Sequence, residues 1–127
     1  MAPLPPPEIR VLVVDRHEAV AAALATMLGQ LPDVEVAGVA SSVGSAVSIA
    51  ETDDAIDVAV VDTELADGPG LELCRRLRAA NGAIRCILHV AGAEPHPVSS
   101  TDHPVDAVVA KQLVGDDLVR AIRSGRS

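Results

Sequence analysis

Three residues of the 127-residue chain stand where chemistry can be done: Asp15, Asp62 and Lys111. A carboxylate ionised at neutral pH can serve as a nucleophile, as a ligand for a hard cation, or as half of an ion pair. An ammonium can neutralise an anion bound beside it. Lys111 is the sole lysine among ten basic residues, so its position carries weight. Each of the three residues ends an apolar run. Asp15 follows Ile9–Val14, Asp62 follows Asp57–Val61, and Lys111 follows Ala107–Ala110.

The elements that must position them can be read from periodicity. The run at 9–14 is nearly continuous and apolar, the pattern of a strand covered on both faces, and those at 57–61, 85–90 and 107–110 read as further strands. Val34–Ala40 alternates and reads as a further strand. Between His17 and Gln30 the period lengthens, and Val20, Leu24, Met27, Leu28 and Leu31 form one helical stripe ended by Pro32. Ser41 or Ser42 caps a second helix through Ala46, Val47 and Ile49 to about Glu51. Asp67-Gly68-Pro69-Gly70 is a loop signal. Leu71, Cys74 and Leu77 mark a third helix closed near Asn81-Gly82. Leu118 and Ile122 face inward on a last helix, 116–124. Pro95, Pro97 and Pro104 oppose a regular helix between 91 and 106.

Strands alternating with helices give a parallel sheet with helices on both faces, in a length that suits one domain. Such sheets bind ligands beyond the carboxyl ends of their strands, so both aspartates and the lysine lie on one edge.

Composition narrows the function. Hydrophobic residues make up 49%, which excludes a disordered chain. The chain has no Phe, Tyr or Trp, so base-stacking platforms and aromatic cages are out. A net charge of −8 opposes direct binding to a phosphate backbone. The longest apolar run, Ala19–Leu28, is half a membrane span, and the Pro-rich start lacks a signal-peptide pattern, so a cytoplasmic location is expected. Cys74 and Cys86 form no CxxC and read as buried free thiols. His96, Asp102 and His103 read as solvated loop residues, and His17 as a helix-start residue.

Val11-Leu12-Val13-Val14-Asp15, Val58-Ala59-Val60-Val61-Asp62 and Val108-Val109-Ala110-Lys111 together resemble the receiver domain of bacterial two-component response regulators. The likeness runs from about Ile9 to Arg123. Asp15-Arg16-His17-Glu18 and the segment from Asp62 through Asp67-Gly68-Pro69-Gly70 to Cys74 are similar to the LuxR/NarL branch. The resemblance implies a flavodoxin-like (CheY-like) five-stranded parallel sheet of order 2-1-3-4-5. It implies a receiver over 9–124, a Pro-rich extension over 1–8, and over 125–127 either a tail of a stand-alone receiver or the start of a linker to a helix-turn-helix output domain. It makes Asp62 the phosphoacceptor, Lys111 the cation that pairs with a phosphate oxygen, and Asp15 part of the acidic pocket. Partners would be a sensor histidine kinase or another signalling protein and a second copy of the chain. DNA would be reached only through an output domain that this chain lacks.

Departures from the pattern are as specific as the matches. Receivers place two acids after the first strand, the second a direct Mg²⁺ ligand; here that position is Arg16. The usual pocket carries −2; Asp15, Asp62 and Lys111 give −1, and Arg16 can bring it to zero. No cofactor is therefore expected. Any Mg²⁺ would be weakened by Arg16, with Asp15, Asp62 and the Glu64 backbone as the remaining ligands. The alternative for Arg16 is a side chain turned to solvent. The Thr or Ser ending the fourth strand becomes Val90, or His89 if the register slips by one, and the aromatic switch position becomes Val108. The fourth helix is short or missing. These substitutions point to an atypical receiver that signals without phosphorylation and is not an enzyme beyond self-phosphorylation at Asp62. The alternatives are a working phospho-receiver and, remotely, a haloacid-dehalogenase-like phosphatase. The latter needs Asp-x-Asp, where this chain has Asp15-x-His17. No GxGxxG follows the first strand to support a dinucleotide site.

Overall fold

The structure is a computed structural model that describes residues 9–91, 105–111 and 116–124. Five parallel strands form the sheet: β1 (Ile9–Val14), β2 (Val34–Ala40), β3 (Val58–Asp62), β6 (Arg85–Val90) and β7 (Ala107–Ala110), in the order β2-β1-β3-β6-β7. This is the expected order. The numbering rises because two-residue strands β4 (Glu64–Leu65) and β5 (Gly68–Pro69) pair antiparallel within the segment read as a plain loop. The helices are α1 (Glu18–Gly29), α2 (Val43–Thr52), α3 (Gly70–Ala80) and α4 (Asp116–Ser124).

Strand residues alternate between two apolar layers, which explains why β1 and β3 read as unbroken hydrophobic runs. Leu12, Val14, Ala59, Val61 and Cys86 pack with Val43, Ala46, Leu73, Cys74 and Leu77 of α2 and α3. Val11, Val13, Val58, Val60, Ile87 and Val109 pack with Ala21, Leu28, Leu118 and Ile122 of α1 and α4. Both cysteines are buried and free. The Cys74 side chain and burial push the Cys86 thiol up, so it is inert as a thiolate.

The α1 stripe needs one correction. Val20 is 36% exposed, and the inward line runs through Ala21 and Leu28, with Leu24, Met27 and Leu31 packed at its margin. The helix is apolar nearly all round, so alanines blur which face is buried. The end of α3 falls where Asn81-Gly82 placed it: Asn81 is the C-cap, extended at φ −152°, its N–H donating to Leu77 O and its Oδ1 accepting the Ala83 N–H at 3.0 Å.

Polar contacts fix the layers. Ser42 and Ser45 form a reciprocal capping box at the start of α2. Asp67, from the β4–β5 turn, adds a cap from outside that helix by accepting the Val43 N–H at 2.6 Å and the Gly44 N–H at 3.0 Å. Arg85 donates to the last-turn carbonyls of α4 at Ile122 (3.0 Å) and Ala121 (2.7 Å). Arg123 forks onto Asp33 at 2.8 and 2.9 Å, tying α4 to the α1–β2 turn. The expected short fourth helix, the 1–8 extension, the 125–127 tail, and His96, Asp102 and His103 lie outside the described residues.

Candidate functional site

From β1 the chain passes to β2 on one side and later to β3 on the other, so a crevice opens between the carboxyl ends of β1 and β3. Asp15 and Asp62 sit at its lip. Asp15 follows β1, held by its N–H to Ala40 O at 3.0 Å; Asp62 is the last residue of β3. They are 1% and 4% exposed. Lys111 follows β7, and its N–H donates to Val90 O at 2.7 Å, which fixes where its stem begins.

The three residues named from sequence do come together. Lys111 Nζ stands 2.9 Å from Asp15 Oδ2 and 3.2 Å from Asp62 Oδ1. The remaining Asp15 oxygen accepts the His17 N–H at 2.9 Å, and Asp62 Oδ1 also accepts the Thr63 N–H at 2.8 Å. Burial pushes the Asp15 carboxyl up; the His17 amide and Lys111 together outweigh it and hold the group below the usual carboxylate range.

Gly70, the first residue of α3, sets the floor of the site. A Cβ there would lie 2.0 Å from the Asp62 carbonyl oxygen and 2.9 Å from Val61 Cγ1. Only glycine lets α3 start this close to the strand that presents Asp62.

Arg16 lies between the two alternatives drawn for it. Its side chain is 51% exposed, yet its Nε is 3.9 Å from Asp62 Oδ2, a charge contact too long for a hydrogen bond. Asp62 Oδ2 is left buried without a hydrogen-bond partner. Glu64 is exposed at the edge of the small hairpin. Val90 is buried and brings no hydroxyl, and Val108 is 37% exposed on β7.

Sequence reasoning named two further residues here, His89 as a register alternative and His17 as a helix-start residue, without placing either at the site. His89 pairs in register with Asp62 across β3 and β6, is 5% exposed, and its Nδ1 has no partner. Burial first, then Lys111, push its pKa down against the pull of Asp15 and Asp62. The signal was a lone histidine in an apolar strand one residue before the strand's end. His17 caps α1 in position but makes no side-chain cap bond; its Nδ1 is 3.5 Å from an Asp15 oxygen. The Asp-x-His spacing after a strand was the available sign.

Residues 11–123 match the family described as the response regulator receiver domain. The DNA-binding transcriptional activator DevR/DosR of Mycobacterium tuberculosis is 34% identical over 129 residues, covering 94% of this chain and 56% of that protein. The response regulator UvrY of Escherichia coli K12 is 30% identical over 117 residues, covering 91% and 53%. The chain thus spans about half the length of these relatives. In fold it is similar to a CheY-like receiver from Methanospirillum hungatei, with a TM-score of 0.77, 24% identity and 92% of each chain covered. It is also similar to RcsB of Salmonella enterica bound to promoter DNA, with a TM-score of 0.78, 22% identity, and 91% and 66% covered.

Proposed function

The chain belongs to the response regulator receiver domain family, and on that premise we propose that it is an atypical receiver in two-component phosphorelay signalling and transcription regulation, working by protein contacts without phosphorylation of Asp62. One observation carries the reading. Lys111 bridges Asp15 and Asp62, and Arg16 stands over the remaining Asp62 oxygen, so two cations meet two carboxylates. A pocket neutral in this way has little electrostatic need for Mg²⁺. The position that should offer an oxygen ligand offers a guanidinium, so the residues present do not fit that ion. Val90 cannot donate to a phosphoryl oxygen, and Val108 offers no ring to turn inward. A phosphoryl group would then make little differential contact with two states and could not shift their populations.

On this reading the chain catalyses nothing, apart at most from accepting a phosphoryl group at Asp62 from a phosphohistidine. Its partners are a sensor kinase or another signalling protein and a second copy of the chain in the cytoplasm; DNA is contacted only through an output domain. No helix among the described residues is long and apolar enough to cross a membrane.

The second reading, a working phospho-receiver, is favoured by Asp62 Oδ2, a carboxylate oxygen that Arg16 faces at 3.9 Å but no hydrogen bond holds. Intact mass after acetyl phosphate with Mg²⁺ separates the two. Little or no added phosphate, with Asp62→Ala and beryllofluoride-treated protein unchanged in assembly by sedimentation, supports the first. Stoichiometric labelling lost in Asp62→Ala, or an assembly change with beryllofluoride, overturns it.

A further inference from the structure

We propose that Cys74 and Cys86 are a redox pair, two thiols that a peroxide-type oxidant converts to a disulfide locking α3 to β6. They are the two cysteines of the chain, and the fold brings them to one place. Cys74 lies on the buried face of α3 and Cys86 on β6, and both are 0% exposed within the same apolar layer. The Cys74 side chain is the hydrogen-bonding neighbour of the Cys86 thiol. The segment that joins them is the last turn of α3 and the turn through Asn81.

Either thiol alone would be an inert core residue. Burial and the facing sulfur keep Cys86 protonated in the resting fold. What sets the pair apart is the group beside it. Arg78 sits one helical turn beyond Cys74 on α3, and its charge acts on both sulfurs. Its guanidinium donates to Ile84 O at 3.1 Å and to Asp106 Oδ2 at 2.5 Å, and that Asp106 oxygen also accepts the Cys86 N–H at 2.8 Å. The Arg78 and Asp106 side chains are 32% and 33% exposed. A partly exposed ion pair thus stands beside a dithiol that otherwise packs in an aliphatic layer. Such a pair opens at little cost. Its opening gives water and a small polar oxidant a way to the sulfurs. It also leaves the Arg78 cation, no longer neutralised by Asp106, to favour a thiolate as one forms.

The chemistry balances with one hydrogen peroxide. One sulfur, as its thiolate, attacks the peroxide; the O–O bond breaks, leaving a sulfenic acid, and the departing hydroxide takes up the proton that the thiol released. The second sulfur then attacks the sulfenic sulfur. The S–S bond forms, the S–O bond breaks, and a second water leaves with the proton of the second thiol. Two thiols and one peroxide become one disulfide and two waters. Because the second sulfur already faces the first, this step is intramolecular and outruns further oxidation of the sulfenic acid. α3 begins at Gly70, seated against the Asp62 carbonyl, so the link fixes the helix that floors the pocket. The proposal does not depend on whether Asp62 is phosphorylated.

The test treats the full chain with hydrogen peroxide across a urea series, quenches with iodoacetamide in denaturant and reads intact mass, with methionine oxidation scored separately. Without urea, the product should be a monomer about two mass units lighter with neither cysteine alkylated, and dithiothreitol should restore two alkylatable thiols. It should melt a few degrees above the reduced protein, since the link closes a loop in the unfolded chain. Cys74→Ala and Cys86→Ala should each give no such species. Asp106→Asn, which frees Arg78, should oxidise several-fold faster than wild type, and adding Arg78→Met should remove that gain. Thiols that stay alkylatable until the urea midpoint, disulfide-linked dimers in place of the monomer, or the lighter product in either alanine variant would each overturn the proposal. So would an oxidised form that melts at or below the reduced one, or an Asp106→Asn variant no faster than wild type.

Discussion

The two ends of the sheet use the same ingredients to opposite effect. At the amino ends of the strands, Arg10 donates through Nη1 to Glu35 and through Nη2 to Asp53, while its backbone N–H goes to Asp57 Oδ2. At the carboxyl ends, Lys111 reaches Asp15 and Asp62, and several polar atoms are left over. Among the described residues, the buried side-chain atoms without a hydrogen bond are Asp15 Oδ2, Asp62 Oδ2 and His89 Nδ1 around the pocket, and Arg10 Nε at the other end. Asp15 Oδ2 has Lys111 as an ionic neighbour but no directed hydrogen bond. An orphaned buried polar atom costs about 1–3 kcal/mol. A fold that keeps two of them, Asp62 Oδ2 and His89 Nδ1, together at one edge beside the crevice stores that cost where a ligand can relieve it. The amino-terminal network ties strands together; the carboxyl-terminal one is poised.

The largest effect should come from the floor of the pocket. Gly70→Ala forces a methyl against the Asp62 carbonyl, backbone that cannot yield as a side chain would. We expect a loss of about 3 kcal/mol or more in urea denaturation, at the upper end of overpacking costs. Gly82→Ala, with no atom within 4 Å of its added carbon, should stay within about 0.5 kcal/mol of wild type. Equal losses in the two variants would refute the claim that α3 is seated by contact with the strand carrying Asp62.

The ion pairs should break unequally. Lys111→Met leaves two carboxylates, 1% and 5% exposed at their side chains, without their cation. Removing one partner of a buried pair is strongly destabilising, and we expect about 3 kcal/mol at pH 7. Arg10→Met at the other end frees carboxylates that are 51% (Glu35) and 22% (Asp53) exposed, and the loss should be about 1 kcal/mol. If Arg10→Met cost as much as Lys111→Met, the contrast between the two edges would fail.

His89 gives the pocket edge its own pH response. Its folded pKa is depressed, so between that value and about 6.5 the unfolded chain binds more protons than the folded one. Stability is therefore complete above about pH 6.5 and falls as pH drops below it, with a slope from this group of at most about 1.4 kcal/mol per pH unit. The charges facing it are Lys111, Asp15 and Asp62. His89→Met should flatten the limb below about pH 6.5 in a series of denaturant melts; an unchanged limb would mean that His89 takes up its proton as readily in the fold as in the unfolded chain.

The contrast between the edges also separates what was legible in the sequence from what was not. Strands β1, β3 and β6 could be read because burial on both faces demands runs of Val, Ile, Leu and Ala, β7 from its short apolar run, and the runs of β1, β3 and β7 stop at a charged residue. Asp15, Asp62 and Lys111 followed, since parallel strands put their carboxyl ends on one edge. Val20 was misplaced because α1 is flanked by alanines that satisfy either face. His89 drew notice only as a register alternative to Val90, since a lone histidine in a strand carries no sign of what lies across the ladder. Asp67 passed as a turn residue because its partners, Val43 and Gly44, are more than twenty positions away. Local patterns encode elements; contacts between loop and helix have no local pattern.

Asp67, in the β4–β5 turn against the start of α2, supplies the smallest test. The amides of Val43 and Gly44 hold its carboxyl below the usual carboxylate range. The folded state therefore binds a proton less readily than the unfolded chain. The stabilisation is full above the unfolded value near 3.8 and disappears as pH falls through the lower folded value. Asp67→Asn keeps an oxygen for one amide and removes the charge that favours the start of α2. Its melting temperature should lie slightly below wild type at pH 7, and the two should converge as pH falls through the depressed carboxyl value of folded Asp67. Because Ser42 and Ser45 already cap the same helix, the difference at pH 7 should grow in a Ser42→Ala background, where Asp67 is the remaining side-chain cap. A difference that is the same in both backgrounds would show that the two caps act independently, and no difference in either would show that the β4–β5 turn does not share in holding α2.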